Sequence, residues 1–155
     1  MSKLSEQIAR RSRELFQQGF CCSESVLQAI AESRGIHSDL IPRIATGLCA
    51  GIARTGGICG AVSGGVLAIS LITGRSSATA SRDENHWLAR AFLNECETKF
   101  GSTNCERLMG CRLDTPEGQR YFKEHNLREK CADFTCEAAR IAARLLEESA
   151  PSQPA

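Results

Sequence analysis

One uncharged, glycine-rich segment limits what this chain can fold into more than any other part of it. Between Thr55 and Gly74 there is no charged side chain, and six of the positions are glycine. Such a segment is compatible with a phosphate-binding loop, a membrane span or a buried helix. It also contains Cys59, so a buried helix here would present a thiol.

The first two possibilities lack the residues that they need. A Walker loop has a lysine directly after its glycines, and a Rossmann glycine motif follows a strand; neither feature is found here. A membrane helix needs about 20 predominantly apolar residues, and this segment has too much glycine and no aromatic belt or basic flank. We therefore predict no membrane span but a turn that leads into a tightly packed central helix. On that helix Gly60 and Gly64 lie one turn apart and allow a neighbouring backbone to approach closely.

Most of the remaining chain has helical periodicity. Apolar side chains recur every three or four residues, and alternating runs with period two are absent. The predicted helices lie at residues 4–18, 23–34, 57–72, 81–100 and 128–148, with one capped by Ser38 or Asp39 that carries Leu40, Ile44 and Leu48, and another that starts at Thr115. The pattern predicts an all-α fold, a single-domain bundle of about five to six helices with the glycine-rich helix at its centre. Residues 1–149 are expected to form this cysteine-rich domain and residues 150–155 a disordered tail.

Composition narrows the environment and the partners. The chain of 155 residues carries 19 basic and 18 acidic side chains, interspersed along the helices, so nucleic acid is not an expected partner. The first residues show no secretory signal, and a reducing cytoplasm is the expected location. In that compartment nine cysteines indicate redox chemistry or metal binding more than permanent disulfides.

Helical geometry selects some of the cysteines as candidates. Cys59 is predicted at a helix start, where unpaired amides and the helix dipole lower a thiol pKa; the alternative is an inert buried residue. On the last helix Cys131 shares the core-facing stripe, and on the second helix Cys22 borders the apolar face. Cys105 lies near a helix start or turn, and Cys96 is expected to be core packing.

No local metal or catalytic motif accompanies these cysteines. The chain contains no Cys-x-x-Cys, so a pair or cluster must assemble from distant segments. His37, His86 and His125 are isolated and are expected to be surface or capping residues.

Four cysteines and one motif resemble a known family. The set Cys22, Cys59-Gly-Ala-Val-Ser-Gly64, Cys105 and Cys131 is similar to the hallmark of the C_GCAxxG_C_C family of redox-active proteins, and the similarity extends from about Gly19 to Cys131. The resemblance implies that these four cysteines carry the function. It extends to the cysteine-bearing region of split-Soret cytochromes, where an iron-sulfur centre is associated with such a domain, although no haem attachment motif occurs here. Cys49 departs from the pattern, and it is a candidate resolving thiol for Cys59.

Two functions follow as hypotheses. The first is a cytoplasmic protein whose thiols cycle between dithiol and disulfide: Cys59 attacks, and Cys22, Cys105 or Cys131 resolves the mixed disulfide with a redox partner protein or a small thiol. This suggests a thiol-disulfide oxidoreductase, although the sequence leaves open whether the protein is an enzyme. The alternative is that the same four cysteines bind a [2Fe-2S] cluster or zinc. The small-residue helix faces are also compatible with a homodimer.

Overall fold

Helices make up the regular structure of residues 2–150, the part of the chain that the computed structural model describes. Their bounds are α1 Lys3–Gln17, α2 Cys22–Ser33, α3 Cys49–Ile52, α4 Gly60–Thr73, α5 Asp83–Phe100, α6 Cys105–Met109, α7 Pro116–Glu124 and α8 Leu127–Ser149, with a 3-10 helix at Arg43–Leu48. The prediction of an all-α single domain is confirmed. The predicted count of five to six helices was too low, because α3 and α6 are too short to produce a periodic pattern.

The longest helix, α8, is the element on which the bundle is assembled. It packs against α1, α2, α4 and α5. Much of its buried face consists of alanine: Ala132, Ala138, Ala139, Ala142 and Ala143. Because alanine side chains are short, the helices that surround α8 can approach it closely.

The glycine-rich helix α4 lies between α2, α5 and α8. A Cβ atom placed on Gly64 would lie 2.6 Å from the carbonyl oxygen of Ser23 and 2.7 Å from its Cα atom, so α2 and α4 touch through their backbones. This confirms the close approach predicted from the glycine spacing. The outer side of α4 is only half-buried, at Leu67 and Leu71 among others.

One predicted helix takes a different form. The segment after Ser38 forms turns and then the 3-10 helix Arg43–Leu48. Leu40 and Ile44, which were expected on an apolar helix face, are 59% and 50% exposed. The segment packs instead through Ala45, which is fully buried and whose carbonyl oxygen accepts a hydrogen bond from the Ser23 hydroxyl at 2.8 Å. A small residue and a polar contact thus fix this segment on α2.

Of the helix caps predicted from the sequence, the one at Thr115 is confirmed, whereas the one at Ser81 is not, because α5 begins at Asp83 with Arg82 as its capping residue. Thr115 precedes α7, and its hydroxyl oxygen accepts a hydrogen bond from the Gly118 N–H at 3.0 Å. Within residues 2–150 no helix combines the length and the apolar character that crossing a bilayer requires. The tail predicted for residues 150–155 falls outside the described residues, except for Ala150.

Candidate functional site

The first part of the site is the start of α2, where two cysteines follow a break in the chain. Gly19, at φ 108°, separates α1 from α2, and the Cys21 N–H donates to a carboxylate oxygen of Glu24 at 2.9 Å. This bond satisfies one of the amides that a helix start leaves unpaired. Cys22 is the first residue of α2 and is half-buried.

Cys59 and Cys105 are held next to each other by the main chain. The Cys59 N–H donates to the Thr103 carbonyl at 2.8 Å, and the Cys105 N–H donates to the Gly57 carbonyl at 2.7 Å. These bonds form an isolated antiparallel bridge between Ile58 and Asn104. The segment that precedes α4 and the segment that precedes α6 are therefore paired, and each delivers one buried cysteine.

Asn104 also fixes the start of α6. Its side-chain oxygen accepts from the Arg107 N–H at 2.9 Å, and its side-chain nitrogen donates to the Gly56 carbonyl at 2.9 Å. One side chain thus caps the helix that carries Cys105 and ties it to the turn before Cys59.

Cys131 comes from α8, on the opposite side of the site. It is half-buried, and its thiol donates to the Met109 sulfur at 3.5 Å. The prediction that Cys131 faces inward agrees with this position.

All four of these cysteines line one cavity of about 360 Å³. Cys21 and Cys49 line the same cavity, so six sulfur atoms converge there. Apolar walls complete it, with Phe16, Phe20, Leu108, Met109, Leu113, Phe122 and Phe134. The structure therefore brings together cysteines that are distant in the sequence. No histidine and no carboxylate belongs to the walls formed by the described residues.

Cys21 and Cys49 are a pair at disulfide distance. Their Cα atoms are 6.0 Å apart, and 28 positions separate them in the chain. Cys49, which was a candidate resolving thiol for Cys59, lies next to Cys21 instead, because the 3-10 helix brings it to the start of α2. The sequence contained one signal for this pair: both cysteines are additional to the four hallmark positions.

A left-handed turn forms one wall of the cavity. Five consecutive residues, 50–54, have positive φ, between 50° and 70°, and only one of them is glycine. L-residues avoid this region at a cost of roughly 1–2 kcal/mol each. The Thr55 hydroxyl donates to the carbonyl of Gly51 at 3.0 Å and to that of Ile52 at 2.7 Å, which helps to hold the turn closed. No local signal in the sequence predicts this conformation.

Burial dominates the acid-base behaviour of the thiols. Burial first and the proximity of Cys22 second raise the pKa of Cys59 to about 12, whereas the Val62 and Ala61 amides act in the opposite direction with a smaller effect. The expected lowering of the Cys59 pKa at a helix start was therefore wrong. Burial likewise raises the pKa of Cys105 to about 11 and raises that of Cys131.

Backbone amides partly offset the effect of burial on the Cys22 thiol. Burial raises its pKa, but the backbone N–H groups of Ala50, Ser23 and Cys22 itself act against this rise by hydrogen-bonding to the sulfur. The Ala50 amide belongs to the left-handed turn, which therefore contributes directly to the environment of this thiol.

The cavity cysteines are suitable ligands for a metal centre. Their spacing, however, is not that of a preformed tetrahedral site. Four thiols without competing carboxylates are the ligand set of iron-sulfur clusters and of structural zinc. Thiolates around one zinc ion lie about 3.8 Å apart, given a Zn–S bond of about 2.3 Å. Among residues 2–150, however, the only three ligand atoms within 4.8 Å of one another belong to Cys21, Glu24 and Cys49. The two sulfurs of this group are paired with each other. A cluster with two irons requires less crowding of its ligands.

The fold and the cavity define a class: a small helical protein with several thiols in one internal site. The family model described as "Putative redox-active protein (C_GCAxxG_C_C)" matches residues 20–145, and the chain belongs to this family. Comparison with curated proteins and with solved structures finds no match.

Proposed function

We propose that this protein is a thiol-disulfide redox protein and that its cavity cysteines undergo the exchange. The observation that supports this most directly is the convergence of six sulfur atoms on one cavity. Two of them, Cys21 and Cys49, lie at disulfide distance from each other. In a cytoplasmic setting, which remains a prediction, a disulfide between them is expected to be transient or catalytic.

Cys22 and Cys59 are the proposed exchanging pair. A Cβ atom on Gly60 would overlap the Cys22 sulfur, so this sulfur lies directly against the residue that follows Cys59. Cys22 is also the more exposed of the two and has three amide donors to stabilise a thiolate. We therefore assign the first attack to Cys22 and resolution to Cys59, with Cys105 and Cys131 as the further redox cysteines of the site.

The reaction is a two-electron exchange. The Cys22 thiolate attacks one sulfur of a partner disulfide, so that a mixed disulfide forms and the partner's S–S bond breaks. The departing thiolate takes the proton of the Cys59 thiol. The Cys59 thiolate then attacks the Cys22 sulfur, forms the Cys22–Cys59 disulfide and releases the second partner thiolate, which takes a proton from solvent. The dithiol is oxidised, and the partner, the disulfide of a redox protein or of a small thiol, is reduced to two thiols.

Equilibration in thiol-disulfide buffers tests this assignment. The fully reduced protein is expected to form a reversible disulfide between Cys22 and Cys59, distinct from the Cys21–Cys49 bond and identified by peptide mass spectrometry. Cys22→Ser and Cys59→Ser should abolish that disulfide, while Cys136→Ser, on the far part of α8, should leave it unchanged. Full cycling in either cavity variant would overturn the assignment.

A metal centre is the second candidate, because four thiols line the cavity and no carboxylate or histidine does. Cys22, Cys59, Cys105 and Cys131 would be the ligands, and a [2Fe-2S] cluster would supply one-electron transfer whereas zinc would be structural. Anaerobic purification with an absorbance spectrum and determination of iron, sulfide and zinc decides between the two candidates. Stoichiometric iron with sulfide, or stoichiometric zinc, would overturn the dithiol proposal.

A further inference from the structure

We infer that the cavity takes a low-molecular-weight disulfide or thiol whose organic part carries carboxylate groups; this rests on the proposed function. Arg54 and Arg128 are the charged side chains on the cavity walls, and no Asp or Glu among residues 2–150 lines them. The cavity is therefore positively charged, and it is complementary to an anion.

Arg128 is fixed in place without a carboxylate. Its guanidinium lies 4.4 Å from the centre of the Phe16 ring, and one nitrogen donates to the Phe16 carbonyl at 2.8 Å. Arginine has five N–H donors, so most of them remain for a ligand. Arg128 makes no ion pair with the described residues, in contrast to Arg140, which bonds to Glu6.

Arg54 is the last residue of the left-handed turn, at φ 69°. It is exposed, lines the cavity and forms no ion pair within residues 2–150. Glycine or asparagine is the usual residue at such a φ. The conformation brings a guanidinium to a cavity that also contains the reactive sulfurs.

Two carboxylates lie near the site but do not line the cavity. Glu24 accepts hydrogen bonds from the Cys21 N–H at 2.9 Å and from the Thr46 hydroxyl at 2.6 Å. Glu106 lies against Gly56, where a Cβ atom would be 3.1 Å from a carboxylate oxygen. The Glu24 carboxylate lies within 4.8 Å of the Cys21 and Cys49 sulfurs, but neither glutamate lines the cavity, so the two arginines are the charged groups on its described walls.

The volume sets the size of the ligand. About 360 Å³ lies at the lower end of the range for small-molecule sites. This volume accommodates one half of a small peptide disulfide, and the planar guanidinium of arginine matches a carboxylate with two parallel hydrogen bonds. Anionic small disulfides are therefore favoured over cationic ones.

Binding is tested without any redox step. Calorimetry of the reduced, metal-free protein with S-methylglutathione, an unreactive anionic thioether, is expected to show a single site. Arg54→Gln should weaken this binding about fivefold, the scale of one exposed charge pair, and Arg54→Lys should recover part of the loss. Arg90→Gln removes an equal charge from the exposed side of α5 and should leave binding unchanged.

Exchange rates provide the second readout. The wild-type protein should reduce glutathione disulfide faster than neutral 2-hydroxyethyl disulfide, and cationic cystamine slowest. Arg54→Gln should reduce this preference, measured as the ratio of the rates with the anionic and the neutral disulfide. Equal rates with all three disulfides, or equal effects of Arg54→Gln and Arg90→Gln, would overturn the inference alone. Absence of exchange with every disulfide would overturn the proposed function, while thioether binding would still report on the anion site.

Discussion

The sulfur of Cys22 occupies the space that a side chain on Gly60 would fill. A Cβ there would also lie 3.1 Å from the Leu48 carbonyl oxygen. The new methyl group is therefore confined between the Cys22 sulfur and the Leu48 main chain. We expect Gly60→Ala to destabilise the protein by about 1–3 kcal/mol, as overpacking does, and to change the rate at which iodoacetamide labels Cys22. Urea unfolding and mass spectrometry measure the two effects.

Gly64→Ala is the matched control for this prediction. It overlaps the Ser23 backbone instead of a sulfur, so it should lower stability to a similar extent and leave the labelling rate of Cys22 unchanged. Equal labelling rates in both variants would show that Gly60 serves only helix packing.

Alkaline pH should lower the free energy of unfolding of the reduced protein, because of its buried thiols. The pKa of Cys59 is raised from 9.0 to about 12 by burial, so above pH 9 the unfolded chain loses a proton that the native state keeps. This contribution to stability is complete below pH 9 and declines by about 1.4 kcal/mol per pH unit as the pH rises towards 12. In urea titrations between pH 9 and 10.5, Cys59→Ala should reduce the slope of stability against pH by that amount. Val62→Ala, a buried change without a titrating group, should lower stability equally at every pH.

The Cys21–Cys49 disulfide should contribute measurably to stability. It closes a loop across 28 positions, for which loss of chain entropy in the unfolded state predicts about 3 kcal/mol. Without reductant, Cys49→Ser should lower the free energy of unfolding by that amount, and Cys136→Ser should have much less effect. The unfolded wild-type protein should titrate seven free thiols when the Cys21–Cys49 bond alone has formed, and five when Cys22 and Cys59 are oxidised as well; nine would mean that the Cys21–Cys49 bond does not form.

A glycine in the left-handed turn should increase the stability of the protein. Ala53 is exposed and has φ 50°, so Ala53→Gly removes a steric cost of roughly 1–2 kcal/mol and adds about 0.4–1 kcal/mol of unfolded-state entropy. A net gain of about 0.5–1 kcal/mol is expected in thermal or urea unfolding. Ala78→Gly, in an exposed loop at ordinary φ, should instead reduce stability. A loss of stability in both variants would contradict the left-handed conformation.

Periodicity was sufficient to locate the long helices and two inward-facing cysteines. Cys22 and Cys131 lie on helices whose apolar stripes are visible in the sequence, and both line the cavity. The glycine spacing of α4 predicted the backbone contact with Ser23 correctly. These features depend on local geometry, which a sequence encodes directly.

Other parts of the site depend on tertiary structure. The sign of the Cys59 pKa shift is set by desolvation, which outweighs the amides of the helix start and cannot be judged before the depth of burial is known. The partner of Cys49 depends on the path of the chain between α2 and the 3-10 helix. The left-handed turn opposes local preference, because four of its five residues are not glycine.

The bridge between Ile58 and Asn104 can be kept when the side chains of its residues are substituted in the course of evolution. Its hydrogen bonds join the main-chain groups of Cys59 and Thr103 and of Cys105 and Gly57. Main-chain groups are the same in every amino acid except proline. The exposed Ile58 is therefore free to be exchanged over generations, while the two sulfurs that flank the bridge keep their spacing.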